Sequence, residues 1–304
     1  MIYTITFNPS IDYIIQVDNF ESGVINKIKS DYKYPGGKGI NVSRVLNNLN
    51  VKSKALGFIG GFTGEFVKNY IEAEGVQTDF IKVKEDTRIN VKLKSEEETE
   101  LNGAGPNIEN NDLKKLFEKV ERLTADDYLV IAGSAQKSLP KDIYAQVQKM
   151  CLNCCVKVIV DTTGETLLST LKYKPFLIKP NNHELGELFG RVLDSTDKII
   201  EYGRKLMDMG AQNVIVSMAA DGALLISSQG VFHASAPKGT VKNSVGAGDS
   251  VIGGFLANYS VSSNLVEAFR YGAASGSATA FSFDLCTKQE VEALVEQIKI
   301  SKID

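Results

Sequence analysis

Short apolar runs alternate along this chain with stretches where hydrophobic residues recur every three or four positions. The runs at 2–7, 55–59, 128–132, 156–160, 176–178 and 214–217 are nearly unbroken in their hydrophobicity. That pattern marks strands buried on both faces. Between them, Val42, Val45, Leu46 and Leu49 fall at helical spacing, as do Leu113, Leu116, Phe117 and Val120. Repeated strand-then-helix order predicts a mostly parallel sheet with helices on both sides, an α/β fold.

Two stretches break the rhythm. Segments 13–17 with 30–34, and 90–94 with 98–102, alternate polar and apolar residues and read as hairpins. A small sheet needs a covered face. The expectation is a sheet projecting from the body as a lid, a dimer contact, or both. Residues 268–280 are rich in Ala, Gly and Ser, which predicts tight packing against the helix that follows Gly248.

Composition narrows the function classes. With 304 residues, 43% of them hydrophobic, the chain can bury a large core. A net charge of −3 gives no basic field for nucleic acid. The start shows no basic-then-apolar leader, and no run approaches the roughly 20 residues that span a bilayer, so a soluble cytoplasmic protein is expected. Cys151, Cys154, Cys155 and Cys286 lack histidine partners at metal spacing and read as free thiols.

The most informative motif is Gly246-Ala247-Gly248-Asp249, between a β-rich segment and the apolar helical run Val251, Ile252, Phe255, Leu256, Tyr259. A glycine turn opening a helix leaves unpaired amides at the positive end of the dipole, a ready anion site. Asp249 inside that turn is either a helix cap or a base beside a charge-accepting pocket. Pro35-Gly36-Gly37-Lys38-Gly39 superficially suggests a P-loop, but Gly39 stands where Ser or Thr is needed. Neither Gly57-Phe58-Ile59-Gly60-Gly61 nor Gly246-Ala247-Gly248 makes a dinucleotide fingerprint. The Gly36–Lys38 turn, with Asn41, can instead offer donors to hydroxyls or a phosphate.

Other candidates close strands. Asp12 is a hydroxyl acceptor or part of an Asx turn. After 176–178, Pro180 fits a first helical turn, and Asn181 with Glu184 makes either a capping box or a seat for hydrated Mg²⁺. Ser217 to Gly222 suits a phosphate-contacting turn. Arg88, with Asn90, is either a surface residue or a two-point grip on a phosphate.

In this order the pieces resemble the ribokinase-like, phosphofructokinase-B type, carbohydrate kinases over essentially the whole chain. The resemblance implies a single domain, 1–304, with a three-layer α/β/α fold and a β lid from segments near 13–34 and 88–103. It implies ATP and Mg²⁺ as cofactors and a homodimer joined through the lid. It casts Asp249 as catalytic base and the Gly246, Ala247 and Gly248 amides as the anion hole. Asp12, Gly37, Lys38 and Asn41 would face the sugar. Arg88, Asn90 and Ser134 would approach its existing phosphate, with Lys27 reaching in from a partner's lid. Lys179, Asn181, Ser217, Asp221, Gly222 and Gly248 would serve the nucleotide, and Glu184 the metal. The closest branch acts on ketohexose phosphates: fructose 1-phosphate is the expected acceptor, tagatose 6-phosphate the alternative. A non-catalytic sugar-phosphate sensor is the competing class. The chain departs from the family pattern at Ala219, where Gly is common, and at Asn243 and Ser244, where Asp-Thr is frequent.

Overall fold

The computed structural model describes residues 1–304. In chain order the strands are β1 (Ile2–Thr6), β2 (Ser10–Gln16), β3 (Ser30–Gly36), β4 (Ser53–Gly60), β5 (Gln77–Thr78), β6 (Ile81–Val83), β7 (Arg88–Lys94), β8 (Glu98–Leu101), β9 (Tyr128–Ala132), β10 (Lys157–Asp161), β11 (Leu177–Ile178), β12 (Asn213–Ser217), β13 (Ala223–Ser227), β14 (Gly230–Ala234) and β15 (Ile300–Lys302). The helices are α1 (Lys38–Asn48), α2 (Gly61–Ala73), α3 (Asn110–Val120), α4 (Ile143–Asn153), α5 (Gly164–Leu171), α6 (Asn182–Phe189), α7 (Thr196–Asp208), α8 (Ala247–Ser262), α9 (Leu265–Ala280) and α10 (Lys288–Val295).

The main sheet runs β15-β14-β13-β12-β11-β10-β9-β1-β4, with β5 and β6 both on the far edge of β4. It is parallel from β12 to that edge; β13, β14 and β15 extend it antiparallel. Alternation along each strand fills two cores. In β9, Leu129 and Ile131 join the core under α3 to α7, while Val130 and Ala132 join the one under α1, α8 and α9. Each such buried Val, Leu or Ile contributes roughly 1.5–3 kcal/mol. Both faces are covered, giving three layers as expected.

The small-residue helix α9 packs on α8. A side chain at Gly254 would put its Cβ 2.6 Å from Ser275 Cβ, so glycine sets the helix separation there. The two interrupting segments form the expected small sheet, with four strands in the order β3-β2-β7-β8, joined by parallel pairing of β2 with β7. That pairing links residues far apart in sequence, which local alternation cannot report.

β1 lies between β9 and β4: the strands that follow β1 in the sheet, β4 to β6, are added on one side of it, and β9 to β15 later on the other. Such a switch point opens a crevice at the carboxyl ends of the strands. The lid projects over this crevice.

Candidate active site

A cleft of about 680 Å³ occupies the crevice. Of its 24 lining residues only Val245 is hydrophobic, which suits a polar, charged ligand and excludes an apolar one. Strand ends supply Thr6, Gly133, Asp161, Lys179 and Ser217; the lid supplies Ser10, Asp12, Arg88, Asn90 and Glu100.

The floor is the start of α8. Gly246 is its N-cap at φ +80°, a left-handed conformation that favours glycine, and a side chain there would also strike Leu285. The amides of Gly246, Gly248 and Asp249 have no backbone acceptor. The Ala247 amide is spent on the Ser244 carbonyl at 3.2 Å, and Ala247 does not line the cleft. The expected set of free amides is corrected here: Ala247's is engaged, and those left without a backbone acceptor are Gly246, Gly248 and Asp249.

The Asp249 side chain has one hydrogen-bond partner, Asn41, and caps no backbone amide, which removes the cap alternative. Its carboxylate is 5% exposed, borders the cleft, and accepts a 2.8 Å hydrogen bond from Asn41 Nδ2. Burial, then the nearby Asp161 charge, pushes its carboxyl up to about 7, against Asn41, Lys38 and Lys179.

Asp161 was absent from the sequence-based candidates. It ends β10 at 2% exposure, with Lys38 Nζ 3.3 Å from Oδ2 and Lys179 Nζ 3.6 Å from Oδ1. Burial works against the Lys38 charge, but Asp161, Asp249 and Glu184 outweigh it and raise the ammonium's pKa. The one local signal was a carboxylate closing an apolar parallel strand.

At the end of the cleft under the small sheet, Asp12 lies within β2 and makes no Asx turn: Oδ1 accepts from Ser10 Oγ at 2.7 Å and Asn90 Nδ2 at 3.0 Å. The Arg88 guanidinium donates to the Asn8 and Gly103 carbonyls and still borders the cleft. Gly37, the α1 N-cap, and Lys38, Asn41 and Ser134 line the same space. Lys27 does not: it is exposed on the connection between β2 and β3.

At the other end Asn181 and Glu184 form a full capping box for α6, with both hydrogen bonds at 2.8 Å. Pro180 stands before the cap, not in the first turn as its sequence position suggested. Glu184 Oε2 is used in the box; Oε1 is left, and both residues line the cleft. No cluster of three or more His, Cys, Asp or Glu side chains could hold a metal alone. Two oxygen donors, Asn181 and Glu184, fit a divalent cation such as Mg²⁺ only if it keeps most of its water shell. Ser217 borders the cleft, but Asp221 and Gly222 do not. Asp221 sits in a short 3₁₀ turn, Ala219–Asp221, beside a neighbouring depression, where its carbonyl meets His233 Nε2 at 2.8 Å. In all, five carboxylates (Asp12, Glu100, Asp161, Glu184, Asp249) face three cations (Lys38, Arg88, Lys179) across the cleft.

Comparison with known proteins identifies the family. The profile described as pfkB family carbohydrate kinase matches residues 5–291. The 1-phosphofructokinase of Bacillus subtilis (strain 168) is 52% identical over 303 residues, covering 100% of each chain. Phosphofructokinase-2 from Escherichia coli, solved in complex with fructose-6-phosphate, superposes with a TM-score of 0.90 at 28% identity, covering 97% of this chain and 98% of that one. Arabidopsis thaliana ribokinase, complexed with ribose and ATP, has a TM-score of 0.81 at 20% identity, covering 97% and 98%, and shows the fold alone. No helix is long and apolar enough to cross a membrane. The chain belongs to the pfkB family of carbohydrate kinases and is an ATP-dependent sugar kinase.

Proposed function

We propose that the protein transfers the γ-phosphoryl group of ATP to the C6 hydroxyl of fructose 1-phosphate, giving fructose 1,6-bisphosphate and ADP. The observation that carries the reading is the seat of Asp249: a buried, uncapping carboxylate at the cleft floor, beside the free amides of Gly246 and Gly248. Its carboxyl is raised toward neutrality, which suits a group that takes a proton as the alcohol attacks. The alcohol becomes acidic only as its bond to phosphorus forms. Little covalent chemistry falls to the protein, so positioning and charge stabilisation carry the rate.

Asn41 holds Asp249 in place. Lys38 and the α8 amides would receive the migrating group, and losing one such amide costs about 3 kcal/mol, or a hundredfold in rate. Lys179, Asn181 and Ser217 would take the nucleotide's phosphate end. Asp221 and Gly222, past Ser217, would meet its outer part. Glu184 and Asn181 would hold Mg²⁺, through water, where it neutralises phosphate charge.

The preference for a phosphorylated sugar is supported by Arg88 at the sugar end and by the full-length likeness to a 1-phosphofructokinase. A second copy of the chain is expected to cover the lid, where Phe20, Ile25, Tyr32 and Leu101 are exposed, and to bring in its own Lys27. Four free thiols suit the reducing cytoplasm, where phosphorylated sugars are kept.

A coupled ADP-release assay over fructose 1-phosphate, fructose 6-phosphate, tagatose 6-phosphate and ribose tests the assignment. The highest kcat/KM is expected with fructose 1-phosphate. A higher value with another sugar would reassign the substrate; tight binding without turnover would favour a sensor.

A further inference from the structure

Lys92 is two residues beyond Asn90 on β7 and opposite Ile14 of β2. Alternation along the strand puts it on the same face of the lid as Asp12, Arg88 and Asn90. It is only 8% exposed, and lysines are almost never buried so far unless paired. Its ammonium nitrogen lies 3.5 Å from Asp12 Oδ2 and 3.8 Å from Glu100 Oε1. Neither contact is a hydrogen bond, so the ammonium faces two carboxylates with its donors uncommitted.

Asp12 is asymmetric. Oδ1 is filled by Ser10 and Asn90, whereas Oδ2 has only Lys92 beside it. Oδ2 therefore accepts no hydrogen bond within the chain and is free to accept one from a hydroxyl. The cleft also carries more carboxylates than cations, and a sugar phosphate brings roughly two further negative charges. Lys92 lines, with Asp12, a depression adjoining the cleft and not the cleft itself, so a cation there, next to the Asp12 carboxylate, offsets that repulsion from behind the sugar end.

We propose that Lys92 is a positioning residue for the acceptor: it fixes Asp12 with Oδ2 toward the sugar and supplies a fourth positive charge to the site that binds the sugar phosphate. This rests on the sugar-phosphate reading above. A hydroxyl donating to Asp12 Oδ2 leaves Lys92 shared between Asp12 and Glu100, tying β7 to β8 over the bound sugar.

The test is steady-state kinetics on the full chain, with wild-type turnover of the sugar-phosphate panel measured first. Lys92→Met is expected to raise the KM for the preferred sugar phosphate at least about tenfold, the worth of one charge-assisted contact. Both kcat and the KM for ATP should stay within about threefold, because the residue acts on ground-state binding of one substrate. Lys92→Arg, which keeps the charge, should recover most of the loss. In an Asp12→Asn background, Lys92→Met should add less than about threefold, since the two act as a unit. If the Met variant fails to fold by circular dichroism, Lys92→Gln serves in its place. An unmoved sugar-phosphate KM, equal losses for both substrates, or full additivity with Asp12→Asn overturns the proposal while leaving the substrate assignment standing. A wild type that turns over no sugar phosphate sinks both.

Discussion

Replacing Asp249 by Asn separates two consequences of burying a carboxylate. The side chains are isosteric, and the amide oxygen can still accept from Asn41 Nδ2, so packing is kept. What disappears is a charge held at 5% exposure next to Asp161. Burial and Asp161 lift this carboxyl from the ordinary 3.8 to about 7. A shift of ~3 units costs the folded state at most ~4 kcal/mol once the group is ionised. An acid whose pKa is raised on folding holds its proton more tightly in the folded state. The cost is therefore absent below pH 4, grows between pH 4 and 7, and is complete above pH 7. Asn carries no such cost at any pH. For 304 residues, an unfolding entropy of ~2 cal/mol/K per residue converts that ceiling to a Tm gain of at most ~6 °C. The variant should melt above the wild type at pH 8 and together with it near pH 4. Turnover should fall by about 10²–10⁴, the usual worth of a general base. Thermal melts from pH 4 to 9, paired with the ADP-release assay, check both. A stability gap that ignores pH, or turnover within about tenfold of wild type, would refute the reasoning.

Three further outcomes follow from the same geometry. Wild-type kcat/KM should fall as pH drops through about 7, because protonated Asp249 cannot take the hydroxyl proton; a pH–rate profile flat down to pH 5 would remove Asp249 as base. Arg88→Ala should raise the KM for fructose 1-phosphate by roughly ten- to a hundredfold while moving that for ATP little, and equal changes in steady-state kinetics would detach Arg88 from the sugar end. Arg44→Ala should cost about 2–3 kcal/mol in denaturant melts, since Arg44 is 5% exposed and pairs both oxygens of Glu74 and also Asp284, with the solvent at Asp284 discounting the full buried-pair value.

What the chain disclosed in advance divides along a physical line. The buried parallel strands were readable because two covered faces force an unbroken apolar run, and Val158 and Ile159 feed opposite cores from adjacent positions. The Asn181–Glu184 box was readable because its partners are three residues apart. Asp161 was not, since its meaning comes from Lys38 and Lys179, which only the sheet order brings to its strand end. Lys92 escaped for the same reason: Asp12 reaches it only through the parallel pairing of β2 with β7. Ala247 erred in the other direction. A Gly-x-Gly turn announces free amides but not which of them the turn spends on itself, and the Ser244 carbonyl decides that. Local motifs therefore located the cleft floor, while the burial that chiefly raises the Asp249 carboxyl, and the balance of charge that receives a doubly charged sugar, are properties of the fold.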